Sequence, residues 1–181
     1  AAYIEETALA PADYLALLGE RAPELLALGQ PADTEHTVAT TWQLSLEQVR
    51  GVKGAAALLE LCAFLGPEEI PRDLFTHQLE PPPEKLDVAA DDPFVLYQAV
   101  AALRRYALIK ASEQTLTVHR LVQQVVRAHL AEPDRQAAIS TVVELLAAAF
   151  PSSVHEVRDP RRWPRCAQLL PHLLAATGHA Q

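Results

Sequence analysis

The sequence contains no methionine, only two cysteines, and no apolar stretch approaching the ~20 residues that a membrane-spanning helix requires. With no long apolar run and no N-terminal signal pattern, the chain is expected to stay out of the bilayer, in the cytoplasm. Cys62 and Cys166 sit in apolar, helix-like surroundings with neither C-x-x-C spacing nor a paired histidine. That argues against a zinc site and a disulfide framework, and it fits a reducing compartment. His36, His77, His129, His155, His172 and His179 also lack metal-binding spacing, so no metal is expected. A phosphate-cradling G-x-x-x-x-G-K-[ST] loop is missing, as is an apolar run ending in paired acids that could hold Mg²⁺. No catalytic residue is therefore assigned, and the chain is not expected to be an enzyme by itself. The missing methionine and an opening, Ala1-Ala2-Tyr3-Ile4-Glu5, that reads as mid-helix point to a piece of a longer protein.

Half of the 181 residues are hydrophobic, enough to form a real core. The formal charge of −8 works against nonspecific attraction to nucleic acid or an anionic membrane, which both depend on Lys and Arg neutralising phosphates. Proteins are the expected partners. The sign is uneven, however: Ala101 to Leu130 carries Arg104, Arg105, Lys110, Arg120 and Arg127 against Glu113 alone, a local +4 that leaves −12 elsewhere.

The periodicity predicts a mainly α protein. Residues 1–8 read as the tail of a helix, and Pro11 opens another with Tyr14, Leu15, Leu17 and Leu18 as its apolar positions. Gly29 to Asp33 breaks the pattern as a linker. A helix from His36 to Arg50 carries Val38, Trp42, Leu46 and Val49 near one face, and Gly51 to Gly54 ends it. Ala55 to Leu65 is the most apolar helix, closed by Gly66-Pro67. Ile70-Pro71 leads into a short helix around Asp73 to Gln78, and Pro81-Pro82-Pro83 must be extended and exposed.

From Asp92 to Leu130 the pattern is the most informative. Leu96, Ala99, Val100, Leu103 and Ala107 recur at helical spacing. Leu108-Ile109-Lys110, a polar break at Ser112-Glu113-Gln114 and the alternation Leu116-Thr117-Val118 predict a hairpin. Leu121, Val122, Val125, Val126 and Leu130 then return to helical spacing, with Arg120, Gln123, Gln124 and Arg127 expected on the solvent side. Helix, hairpin and helix together read as a winged helix. Two further helices, Asp134 to Phe150 and Trp163 to Thr177, form a C-terminal helical hairpin, and Pro151 to Arg162 between them reads as a polar loop. Trp42 and Trp163 are expected as buried anchors, and Glu5-Glu6 and Glu68-Glu69 as surface charges.

Four stretches, in order, carry a likeness: Ala2-Tyr3-Ile4-Glu5-Glu6-Thr7, Thr37-Val38-Ala39-Thr40-Thr41-Trp42, Leu59-Glu60-Leu61-Cys62-Ala63-Phe64-Leu65 and Val118-His119-Arg120-Leu121-Val122-Gln123. Together they resemble the NB-ARC class of STAND signalling ATPases, particularly bacterial members whose nucleotide-binding module is followed by tetratricopeptide repeats. The resemblance implies that 1–30 ends a small helical domain, 34–131 is the winged-helix domain, and 132–181 begins the repeat region. Val118-His119-Arg120 resembles that family's "MHD" motif, whose histidine contacts the β-phosphate of bound ADP and holds the inactive state. Arg120 departs from the pattern, and its reversed charge means that no salt-bridge role of the family's aspartate carries over. The resemblance places ADP or ATP with Mg²⁺ in the parent protein and no cofactor in this segment. It also implies contacts with an upstream nucleotide-binding domain and downstream repeats, and a protein or peptide ligand.

His119 is the leading candidate contact on physical grounds too. It stands where a strand becomes a helix, and a helix start offers backbone N–H groups and partial positive charge to an anion. A nearby anion is expected to favour its protonated form. Arg104, Arg105, Lys110, Arg120 and Arg127 form a candidate DNA or partner surface, since winged helices place a helix in the major groove and a wing on the backbone. The readings that follow are a nucleotide-sensing lid coupled to a repeat sensor, a winged-helix transcriptional regulator, and a helical adaptor presenting residues 134–181.

Overall fold

The computed structural model describes residues 45–76 and 93–179, together with the isolated positions Ala10, Asp13, Leu17 and Arg21. The expectations for the rest of 1–30, for the linker, for Trp42 and for the proline run lie outside the described residues. Helical residues 45–50 are followed by α1 (Ala55–Cys62), β1 (Ile70–Pro71), a 3-10 turn (Arg72–Thr76), α2 (Pro93–Arg105), β2 (Ile109–Ala111) and β3 (Thr115–Val118). Then come α3 (Arg120–His129), α4 (Glu132–Ala149), α5 (Val154–Arg158), a second 3-10 turn (Pro160–Arg162) and α6 (Trp163–His179). The chain is mainly α, with a small antiparallel sheet and a C-terminal helical hairpin of α4 and α6. No helix among the described residues is long and apolar enough to cross a membrane.

The predicted hairpin is present, and it belongs to a three-stranded sheet of order β1-β3-β2. Ile70 pairs with Leu116 and Pro71 with Thr115, while Ile109 pairs with Val118 and Ala111 with Leu116. A two-residue strand has no readable period, so β1 was expected only as the approach to a helix. Its proline is tolerated because β1 is an edge strand. In β3, Leu116 and Val118 point into the core and Thr115 and Thr117 are half-buried, the period of two that the sequence carries. At the hairpin tip the Ser112 hydroxyl accepts from the Gln114 and Thr115 amides at 3.2 and 2.9 Å. Arg72 pins the tip by donating to the Ser112 carbonyl at 3.0 Å.

Four of the five apolar positions predicted for α2 are buried, and Ala107 is not. The helix ends at Arg105, and Ala107 lies just beyond it at φ 54°. Its amide donates to Arg104 and the Leu108 amide donates to Leu103, both at 3.0 Å. This is a Schellman stop with alanine where glycine is usual, stapled by the buried pair Leu103 and Leu108. The stop turns the chain directly into β2.

Three more expectations change. Helix α1 is shorter than predicted, because after Cys62 the chain tightens into i to i+3 bonds from Phe64 to Leu61 and from Leu65 to Cys62. The stretch 151–162, expected as a loop, contains α5, held by a capping box in which Ser153 accepts from the Glu156 amide and the Glu156 carboxylate accepts from the Ser153 amide. The Ser152 amide first, and the Ser153 amide second, hold the Glu156 carboxyl below the usual range. Ser153-x-x-Glu156 was the legible signal. Trp163 is 58% exposed rather than buried, and its indole N–H donates to the Val157 carbonyl at 3.1 Å. The inner line of α6 is Leu169, His172 and Ala176.

The core runs without a break from Val49 to Ala176, so the sheet-bearing unit and the helical hairpin share one apolar interior that includes Phe64, Phe75, Leu116, Leu145 and Leu169. Burying side chains of this size is worth roughly 1.5 to 3 kcal/mol each.

Candidate functional site

The Schellman stop, the tight hairpin and β3 together deliver His119 to the N-cap of α3, at the protein surface. Its φ and ψ are −63° and 136°, extended rather than helical, as an N-cap requires. Nδ1 accepts a hydrogen bond from the Leu121 amide at 3.2 Å. The ring therefore caps its own helix, and that bond fixes the chemistry available at the other nitrogen. With the Nδ1 lone pair committed, the neutral ring carries its proton on Nε2, a donor suited to an anionic oxygen. The same bond narrows the expected set of exposed amides. The Leu121 amide serves the ring, and the Gln123 amide donates to the His119 carbonyl at 3.1 Å.

His119 borders a cleft of about 260 Å³ whose other polar lining is Lys110 from β2 and Thr117 from β3, with Leu108, Ile109 and Val122 as apolar lining. One ammonium and one imidazole thus line a small surface cleft, and both are groups that can donate to an anionic oxygen. Val118 is fully buried in β3, and its amide donates to the Pro67 carbonyl at 2.8 Å. Arg120 is exposed and borders a separate cleft with Glu68, Glu69, Gln168 and His172.

The five basic residues do not form one surface. Arg104 and Arg105 are exposed at the end of α2, and Lys110 is exposed on β2. Arg127 was expected in solvent and instead reaches inward to donate to the Ala63 carbonyl. Burial first, and Arg135 second, push its pKa down to about 10, so it remains charged at neutral pH. Gln123, also expected in solvent, is 4% exposed. Its amide donates to the Cys62 carbonyl at 2.8 Å and the Leu65 carbonyl at 2.9 Å. Together they cap the C-terminal end of α1, where orphan carbonyls and the negative end of the helix dipole favour donors and cations.

Sequence reasoning passed over His172, a buried polar side chain at 1% exposure. The signal that could have found it is its helical spacing from Leu169 and Ala176, which puts it on the apolar line of α6. Cys62 is buried and burial pushes its thiol pKa up, so it is an inert core group; Cys166 is half-buried. Among the described residues no group of three His, Cys, Asp or Glu side chains could hold a metal ion.

A family described as a domain of unknown function, DUF7779, matches residues 46–135, just under half of the chain, from the helical stretch before α1 to the first turn of α4. No curated protein and no solved structure matches the chain.

Proposed function

We propose that this segment is a non-catalytic regulatory module, a winged-helix lid that reports the ADP or ATP state of a STAND-type nucleotide-binding core to a helical sensor built on α4 and α6. The observation that carries the reading is the exposed His119 at the strand-to-helix junction. Its Nδ1 is held by the Leu121 amide, and the residue lines the same cleft as Lys110. An imidazole already oriented by its own helix loses little freedom on meeting a phosphate. The element order α1, β1, α2, β2, β3 and the strand order β1-β3-β2 support the winged-helix reading, and the single core shared with α4 and α6 offers a mechanical path between lid and sensor.

The physical logic is population shift. ADP favours a closed arrangement only through contacts made there and lost on opening. One charge-assisted hydrogen bond worth roughly 1.5 to 3 kcal/mol biases closed over open by about 10- to 150-fold. In the complete nucleotide-binding protein, His119→Ala is expected to speed ADP release by about that factor and to raise basal signalling. Stopped-flow release of a fluorescent ADP analogue measures it, and an unchanged release rate removes the proposal.

Duplex DNA binding is the weaker reading. Arg127 is spent inside the molecule, Arg120 lines a different cleft from Lys110, and the chain as a whole carries −8.

A further inference from the structure

Two histidines seven residues apart on α6 face the same stretch of chain, residues 64–69, which links α1 to β1. His172 is enclosed, and its Nε2 lies 3.3 Å from the Glu69 carbonyl, so the neutral ring donates there. Its Nδ1 is buried and makes no hydrogen bond. That atom stands so close to Gly66 that a Cβ there would come to 3.0 Å from it, which explains the glycine. Glu69 is itself held at φ 53°, a left-handed conformation costly for a side-chain-bearing residue, immediately before β1. Two helical turns further on, the His179 ring packs edge-on against Phe64, 5.6 Å between centroids.

We propose that His172 and His179 form a proton-operated latch, seating the last two turns of α6 on residues 64–69 while both rings are neutral and releasing them when the rings become charged. A proton added to His172 must go to Nδ1, a buried atom that makes no hydrogen bond in the seated helix and has only the Gly66 backbone beside it, so charging the ring there is penalised. Around His172 the charged groups are Glu68 and Glu69 on the linking chain, Arg120 at the start of α3 and Arg165 on α6. Around His179 they are Arg127 on α3 and Arg135 on α4, both of which repel a second cation.

Burial, first, pushes the His172 pKa below its ordinary 6.5, and Arg165 adds to this. The backbone of Glu69 and Gly66 and the Glu69 carboxylate oppose it in part. For His179 burial again comes first, then Arg127 and Arg135, all in the same direction. The seated state therefore binds fewer protons than the released one. The latch is at full strength above the ordinary histidine pKa of 6.5 and weakens as pH falls below it.

Release has a structural address. The linking chain that receives His172 also accepts the Val118 amide through Pro67, one residue before His119, so loosening of α6 reaches the end of β3.

Hydrogen exchange of the 181-residue chain, corrected for the intrinsic pH dependence of exchange, tests the latch. Between pH 7.5 and 5.0, the amides of 172–179 are expected to lose about ten-fold or more in protection while those of α1 and α2 keep theirs. The His172→Gln/His179→Gln variant is expected to change less than about two-fold over the same range. The proposal is overturned by a wild-type α6 indifferent to pH, by an equal loss in the variant, or by a loss spread evenly over every helix. Should the double variant not fold, ring titration of the wild type by NMR decides. His172 is expected to take up its proton together with the loss of protection, and protonation of His172 with α6 still fully protected overturns the latch.

Discussion

Helix α3 presents polar side chains in two ways. At its first turn His119 and Arg120 are exposed, whereas one and two turns further on Gln123 and Arg127 turn inward and cap another helix. All four look alike in sequence, as polar residues between the apolar positions of an amphipathic helix. The difference is which neighbour has unmet hydrogen-bonding capacity. The end of α1 turns the Cys62, Ala63 and Leu65 carbonyls toward α3 with acceptor capacity to spare, so donors placed there are drawn in. The start of α3 has an orphan amide of its own at Leu121, and the nearest ring satisfies it locally. One end of the helix is used for stability, and the other stays exposed.

That contrast can be broken by three substitutions in the isolated chain. The largest effect is expected for Gln123→Leu, which withdraws the donor from two buried carbonyls and should cost about 2 to 3 kcal/mol, read as a lower urea midpoint. Arg127→Met should cost about 1 kcal/mol, because the lost bond to the Ala63 carbonyl is partly offset by relief from burying a charge and by retained packing of the stem. A larger penalty for Arg127→Met than for Gln123→Leu would make the charge, rather than the amide, the principal cap of α1. The smallest effect is expected for His119→Ala, no more than about 1 kcal/mol for loss of one exposed cap. A cost well above that would place His119 with the structural group and end the contrast.

The fold was legible wherever a period was long enough to count. Leu96 to Leu103 and Val122 to Val126 give their helices, Leu116-Thr117-Val118 gives a strand, and Asp134 to Phe150 comes within two residues of α4. His119 was legible at the junction of two periods, because a switch from two to 3.6 marks a helix start. What escaped notice was short or contextual. Strand β1 has two residues and is defined only by pairing with β3, and α5 is set by a capping box rather than by an apolar stripe. Trp163 reads as a core anchor by residue type, yet α6 buries its opposite face, and an indole with one local acceptor tolerates the surface.

By itself the sequence determined the mainly helical class, the hairpin between α2 and α3, and the placing of a histidine at a helix start, because each rests on local backbone preference and on the spacing of apolar side chains along a few turns. Only the tertiary structure decided that Gln123 and Arg127 are interior and that His172 is enclosed against Gly66 and Glu69. Those outcomes depend on which unpaired backbone groups distant segments bring near, and hydrogen-bond demand across 58 or 103 residues leaves no trace in local periodicity.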